Sequence, residues 1–223
     1  MKRSEIDQLI DDAIGLLHQQ QIRLPPFAYW SPAEWQSKGI ECDQIRRCKL
    51  GWDITDFGSN AFDEIGLVVF TVRNGHPKLA PYTAKVYAEK ILVIRENQRT
   101  PMHHHIRKTE DIICRGGGNM LCTVYNRSAS GTLADTEVDV SLDGMRHHVK
   151  AGHTFRLSAG ASITLTPYLF HEFWAEEGTG TCIAGEVSSV NDDDTDNVFL
   201  KPAGRFPHIE EDIPARYKLC TEY

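Results

Sequence analysis

No run of about 20 apolar residues occurs in this 223-residue chain, which excludes an ordinary membrane-spanning helix. Acids interrupt the apolar stretch Ile6-Asp7-Gln8-Leu9-Ile10-Asp11-Asp12, so no signal-peptide core is read there, and the expected address is cytoplasmic. Basic charge is also scarce: 24 Lys and Arg stand against 31 Asp and Glu, a net charge of -7. A phosphate backbone requires a clustered basic surface, so nucleic acid is not an expected partner. The six cysteines, Cys42, Cys48, Cys114, Cys122, Cys182 and Cys220, form no C-x-x-C pair, which argues against a zinc knuckle. An even count permits three disulfides, but without an export signal free and mostly buried thiols are expected. Internal repeats are absent. The one low-complexity tract, Asp192-Asp193-Asp194-Thr195-Asp196, reads as a solvated loop or as the rim of a site.

What is present is ordinary globular material, 41% hydrophobic and 25% charged. A β-barrel of this length commonly forms one domain. The expected organisation is a helical extension over residues 1–40, a barrel over 41–198 and a proline-bearing strap over 199–223. Ile6, Leu9, Ile10, Ala13, Leu16 and Leu17 have the three-and-four spacing of an amphipathic helix over 4–20, with Ser4 and Asp7 as its capping box. Pro25-Pro26 ends it. Ser31-Pro32 then supplies an N-cap and a first-turn proline for a short helix reaching Lys38.

From Gly66 onward, runs rich in valine, isoleucine, threonine and aromatics alternate with Asn-Gly, Asp-Gly and Gly-rich turns. Strands are expected at 67–73, 84–95, 102–106, 111–114, 120–126, 137–142, 154–157, 162–166, 171–175 and 182–187. Short strands with no helical pattern between them predict an all-β sandwich or barrel, preceded by short helices.

The chemistry concentrates in Thr100-Pro101-Met102-His103-His104-His105-Ile106-Arg107-Lys108-Thr109-Glu110-Asp111. On a strand, His103 and His105 share a face with their Cα atoms about 7 Å apart, so both imidazoles can converge on one ion, while His104 points away. Glu110 can return across the next turn with a carboxylate oxygen, and His171 can complete the set from a distant strand. Three nitrogens and one oxygen, with room for two further oxygens, suit manganese, iron or another first-row divalent ion. The competing reading is a polar surface strand that holds nothing.

His-x-His-x4-Glu followed by Gly116-Gly117, and later Pro167-Tyr168-Leu169-Phe170-His171, resembles the paired motifs of the cupin superfamily, whose fold is a double-stranded β-helix, or jelly-roll, barrel. Leu169 stands where that family commonly has glycine, and Trp174 near a common asparagine. Within the cupins, residues 90–118, with Pro26-Phe27-Ala28-Tyr29-Trp30 and Gly185-Glu186-Val187-Ser188-Ser189-Val190-Asn191-Asp192-Asp193, are similar to the D-lyxose ketol-isomerases.

The resemblance implies one divalent metal ion, with Mn2+ expected, and a small-molecule sugar, pentose or hexose, as substrate. It implies interconversion of D-lyxose with D-xylulose, and of D-mannose with D-fructose, through a cis-enediol, in a homodimer. Such a reaction needs a Lewis acid and a free carboxylate to carry the proton. With Glu110 committed to the metal, Glu186 is the candidate base, the alternative being an exposed strand residue. Lys108, between two expected ligands, would pair with a developing alkoxide or relay a proton; otherwise it is a surface lysine. Lys90, Asp193 and Trp30 are candidate sugar contacts, against readings as a solvent-facing lysine, a wet loop and a core filler. Two rivals remain open: an iron-dependent cupin dioxygenase and a non-catalytic sugar-binding cupin.

Overall fold

The computed structural model describes residues 1–204 and 207–223. Arg205 and Phe206, within the stretch read as a strap, lie outside the described residues. Helix α1, Arg3–Gln19, is followed by α2, Pro32–Gln36, and α3, Asp43–Arg47. Strands then follow in the order β1 (Gly51–Thr55), β2 (Leu67–Arg73), β3 (Tyr87–Ile94), β4 (His103–His105), β5 (Glu110–Gly117), β6 (Met120–Asn126), β7 (Val138–Leu142), β8 (Met145–Val149), β9 (His153–Leu157), β10 (Ser162–Leu165), β11 (Leu169–Ala175), β12 (Cys182–Ser189) and β13 (Asn197–Phe199).

Among the described residues these strands form two antiparallel sheets. One runs β1-β2-β3-β12-β5-β10-β7-β8 and the other β13-β4-β11-β6-β9. The inward side chains of both make one core, including Leu92, Ile112, Met120, Val124, Leu165 and Phe173. This is the expected cupin-type all-β barrel. All six cysteines are buried and none is joined in a disulfide.

A second core lies outside the barrel, where Ile6, Ile10 and Leu17 of α1 meet Val68, Phe70 and Ile183 on the outer face of the large sheet. Each fully buried side chain of this kind contributes roughly 1.5–3 kcal/mol. That packing, more than helix propensity, holds α1 in place.

The cap of α1 differs from expectation. The helix starts one residue earlier, and the Glu5 carboxylate accepts the Lys2 amide at 2.8 Å. Ser4 instead bonds Asp212, and buried Asp7 accepts the Arg216 amide; both side chains serve the returning C-terminal segment. At α2 the expected start holds, with Ser31 as N-cap and Pro32 at the first position; Glu34 completes a reciprocal capping box, and the helix ends at Gln36 rather than Lys38. Gly117, at φ 73°, ends β5 beside a register shift against Ile183 and Ala184. A Cβ there would lie 2.1 Å from the Thr181 carbonyl oxygen, so only glycine fits.

Candidate active site

The site lies inside one end of the barrel, where β4 meets β11 and the large sheet faces them. His103 pairs with His171 across β4 and β11. Strand alternation turns His103 and His105 inward and leaves His104 outside, packed between Tyr168 and Phe170. One ring nitrogen from each of His103, His105 and His171 lies within 4.8 Å of the others. The Glu110 Oε1 atom is 3.2 Å from Nε2 of both His105 and His171.

Backbone carbonyls set the tautomers. Nδ1 of His103 is 2.8 Å from the Pro101 oxygen, and Nδ1 of His171 is 2.9 Å from the Leu169 oxygen. A carbonyl only accepts, so each Nδ1 carries the proton and each Nε2 presents its lone pair to the site. On His171 that nitrogen is buried with no hydrogen-bond partner, a cost that a bound cation removes. Burial, then the neighbouring imidazole of His171, pushes His103 well below the usual histidine range; burial also lowers His105. Both are thereby kept in the neutral form that ligates metal. The donor set fits one divalent ion.

Beside it runs a line of buried charges. Lys108 Nζ lies 2.6 Å from Glu110 Oε2 and 2.9 Å from Glu186 Oε1. Burial opposes the Lys108 charge, but Glu110 and Glu186 outweigh it and raise its pKa. Burial pushes Glu186 up as well, and Lys108 and Lys90 overcome it, holding the carboxyl below its usual range. Burial likewise opposes the charge on Glu110, yet Lys108 and His105 hold it well below that range. Glu186 faces Lys90 directly across β12 and β3, with Lys90 Nζ 3.5 Å from Glu186 Oε2 and 3.9 Å from Asp193 Oδ1.

The lining of a cavity of about 60 Å³ includes His103, His105, Lys108, Glu110, Glu186 and Lys90, together with Asp193, Asn197, Thr100 and an apolar side of Phe57, Phe173 and Phe199. Eight of the nine side chains expected at the site are therefore brought together, His171 through its histidine partners. Trp30 is not. It packs in the N-terminal segment against Phe27 and Trp35, with Lys38 4.2 Å above its ring; the aromatic walls of the cavity are the three phenylalanines.

A second correction concerns the motif before His171. The left-handed conformation that suits glycine falls on Tyr168, at φ 65°, while Leu169 is already in β11. The Tyr168 amide donates to the His105 carbonyl at 2.8 Å, so the unusual backbone is tied to the ligand strand.

A family model described as D-lyxose isomerase matches residues 1–223. The chain belongs to the D-lyxose isomerase family. It is 50% identical over 224 residues to a D-lyxose/D-mannose isomerase of Serratia proteamaculans, covering 100% of this chain and 98% of that one. A protein of the same description from Escherichia coli O157:H7 is 49% identical with the same coverage. Among solved structures, the fold is similar to L-ribose isomerase of Cellulomonas parahominis with L-ribose, with TM-score 0.63, 18% identity and coverage of 94% and 98%.

For this member of the D-lyxose isomerase family, sequence reasoning missed three polar groups that orient the charged line. Ser188 Oγ donates to Glu186 Oε1 at 2.9 Å; two residues on along β12, it shares the inward face, so alternation alone could have found it. Asn191 Oδ1 accepts from Lys90 at 2.6 Å while its Nδ2 donates to Asp193. Asn74 in turn exchanges hydrogen bonds with the Asn191 backbone, a link across 117 residues that no local pattern signals.

Proposed function

We propose that this chain is a metal-dependent D-lyxose ketol-isomerase, interconverting D-lyxose with D-xylulose and D-mannose with D-fructose through a cis-enediol. The isomerase assignment rests on the family model and on two relatives half identical over their length. The observation that carries the mechanism is the buried Glu186 carboxylate, 2.9 Å from the Lys108 ammonium and beside a convergent cluster of three histidines and one glutamate.

His103, His105, Glu110 and His171 would hold one divalent ion, Mn2+ in this reading. Once bound, it supplies Lewis-acid polarisation of the carbonyl and charge stabilisation of the enediolate. Glu186 takes the proton from C2 of the aldose and returns it at C1, while the O2 hydroxyl proton passes to O1 with Lys108 as its relay. Lys108 neutralises charge developing on the adjacent oxygen, and Lys90 and Asp193 bond the hydroxyls further along the sugar. Within the lining, the two lysines and the three carboxylates in their ordinary ionised forms leave one negative charge. Once Glu186 has taken the C2 proton that lining is neutral, so a divalent ion held there would leave the site positive opposite the enediolate. D-Lyxose and D-mannose share their configuration from C2 to C4, so a site that reads those carbons accepts both. We take the enzyme to be a homodimer on the strength of the family resemblance, with the cytoplasm as its default address.

The test is to incubate manganese-loaded protein with D-lyxose and D-mannose and to follow D-xylulose and D-fructose, with and without oxygen. Equal ketose formation in both atmospheres is expected. Turnover only with oxygen would establish the dioxygenase instead, and binding without turnover would establish the sugar-binding cupin.

A further inference from the structure

Lys108 reaches its two carboxylates from the turn that joins β4 to β5. A lysine side chain is a flexible stem carrying a compact charge, so where its ammonium sits is decided by how firmly the backbone below it is held. In this turn three successive amides end on one residue. The Ile106 amide donates to the Asp196 carbonyl at 3.1 Å, the Arg107 amide to Asp196 Oδ1 at 2.8 Å, and the Lys108 amide to Asp196 Oδ2 at 3.0 Å. Asp196 is 3% exposed, which separates it from the rest of the acidic run before it. The next residue begins β13, where Asn197 pairs with His105 and Phe199 with His103.

We infer that Asp196 is a positioning residue for the isomerisation: it fixes the 106–108 turn so that Lys108 is delivered between Glu110 and Glu186. The inference rests on the function proposed above. Carboxylate bonds to backbone amides are charge-assisted and stronger than neutral ones. Two oxygens taking two neighbouring amides also fix direction, which one bond does not. Asp196 itself stands outside the cavity lining and outside the histidine cluster, so it acts through the turn. The Arg107 guanidinium, 3.6 Å from Asp196 Oδ1, is largely exposed and offers a different role for the Asp196 charge, namely a surface ion pair of little value.

Full-length, manganese-loaded D196N, D196A and R107A separate the two. D196N is nearly isosteric, but its amide nitrogen presents a donor to one of the two backbone amides. Hydrogen exchange should rise tenfold or more at both the Arg107 and the Lys108 amides in D196A, and at one of the two in D196N. The kcat for D-lyxose should fall tenfold or more, with KM within threefold of the parent and manganese content unchanged. R107A should leave exchange, kcat and KM within twofold. Freed amides with parental kcat in D196N would overturn the inference, as would R107A matching the Asp196 variants. A fall in kcat that merely tracks lost manganese would overturn it too, since Asp196 would then serve the ion. If D196A does not fold, D196N alone decides. Should the parent fail to isomerise any aldose, the proposed function falls, whereas the exchange data still report whether Asp196 holds the turn.

Discussion

Lys108 and Glu186 form an ion pair of 2.9 Å in which both side chains are more than nine-tenths buried. Pairs of this kind are poor sources of stability, because desolvation consumes most of their attraction. Here the pair favours the ionised form of a carboxylate out of water, beside the candidate ligands, where the proposed reaction requires a proton acceptor.

Glu186→Gln should therefore keep the metal and bind ketose, yet lose roughly a hundredfold to ten-thousandfold of kcat, the usual range for a general base. Steady-state kinetics with D-lyxose, alongside elemental analysis, checks this. A near-parental rate would move the base elsewhere, with Lys108 and Asp193, both in the cavity lining, next in line.

Metal retention should depend on the histidines of both strands. Replacing His103 and His105 together by alanine should abolish binding of about one manganese per chain, because the remaining His171 and Glu110 cannot close a coordination sphere. Since the ion binds the folded chain, chelation should also lower the parent's melting temperature. A double variant that still holds metal like the parent would refute the site.

The route of hydrogen can be read from the product. In deuterated water, D-xylulose formed from D-lyxose should carry deuterium at C1, because a carboxylate that holds the proton between two carbons exchanges part of it with solvent. NMR of the product checks this, and a complete lack of label at C1 would favour a hydride shift.

Far from the site, His148 bridges Asp139 and Glu137 on the exposed β7–β8 hairpin, with ring nitrogens 2.9 and 2.8 Å from their carboxylates. The bonds to Asp139 and then Glu137 raise its pKa above the usual histidine value. The sign follows: the protonated ring favours the folded hairpin, fully so below the ordinary imidazole pKa, and that contribution is lost as pH rises through the raised value. An NMR titration should place the His148 midpoint above that of an unstructured histidine, and D139N should bring it down.

How much of this was legible in the residues differs by element. β6 matches its expected span of 120–126, because Met-Leu-Cys-Thr-Val-Tyr-Asn is rich in β-formers between clear turns. Glu110 and His171 were reachable because a ligand set is constrained by chemistry as well as by pattern. β1 was missed: all five of its residues are buried, Asp53 among them, so it shows neither alternation nor a clean apolar run. β8 is an edge strand of Met-Arg-His-His-Val, where three polar residues separate the two apolar ends, so it shows neither alternation nor an apolar run. β13 is three residues long after an acidic loop. It takes its strand character from pairing with β4, a tertiary fact. Trp30 was misplaced because an aromatic residue reads the same whether it walls a cavity or packs an extension.

The strand that carries Glu186 is also the one that joins the large sheet. β12 lies between β3 and β5, pairing along Tyr87–Ile94 on one side and Glu110–Gly117 on the other, yet it is made some 65 residues after β5 ends, as Gly117 and its start at Cys182 record. Until that segment leaves the ribosome, β1-β2-β3 and β5-β10-β7-β8 are two separate ribbons, each with an open edge of the kind that pairs with other chains. The four candidate ligands are all synthesised before this strand, but the wall that encloses them is not. A nascent chain therefore carries these candidate ligands for some time before it has a barrel to hold them in register, and long-range closure of this sort makes folding slow relative to its local steps.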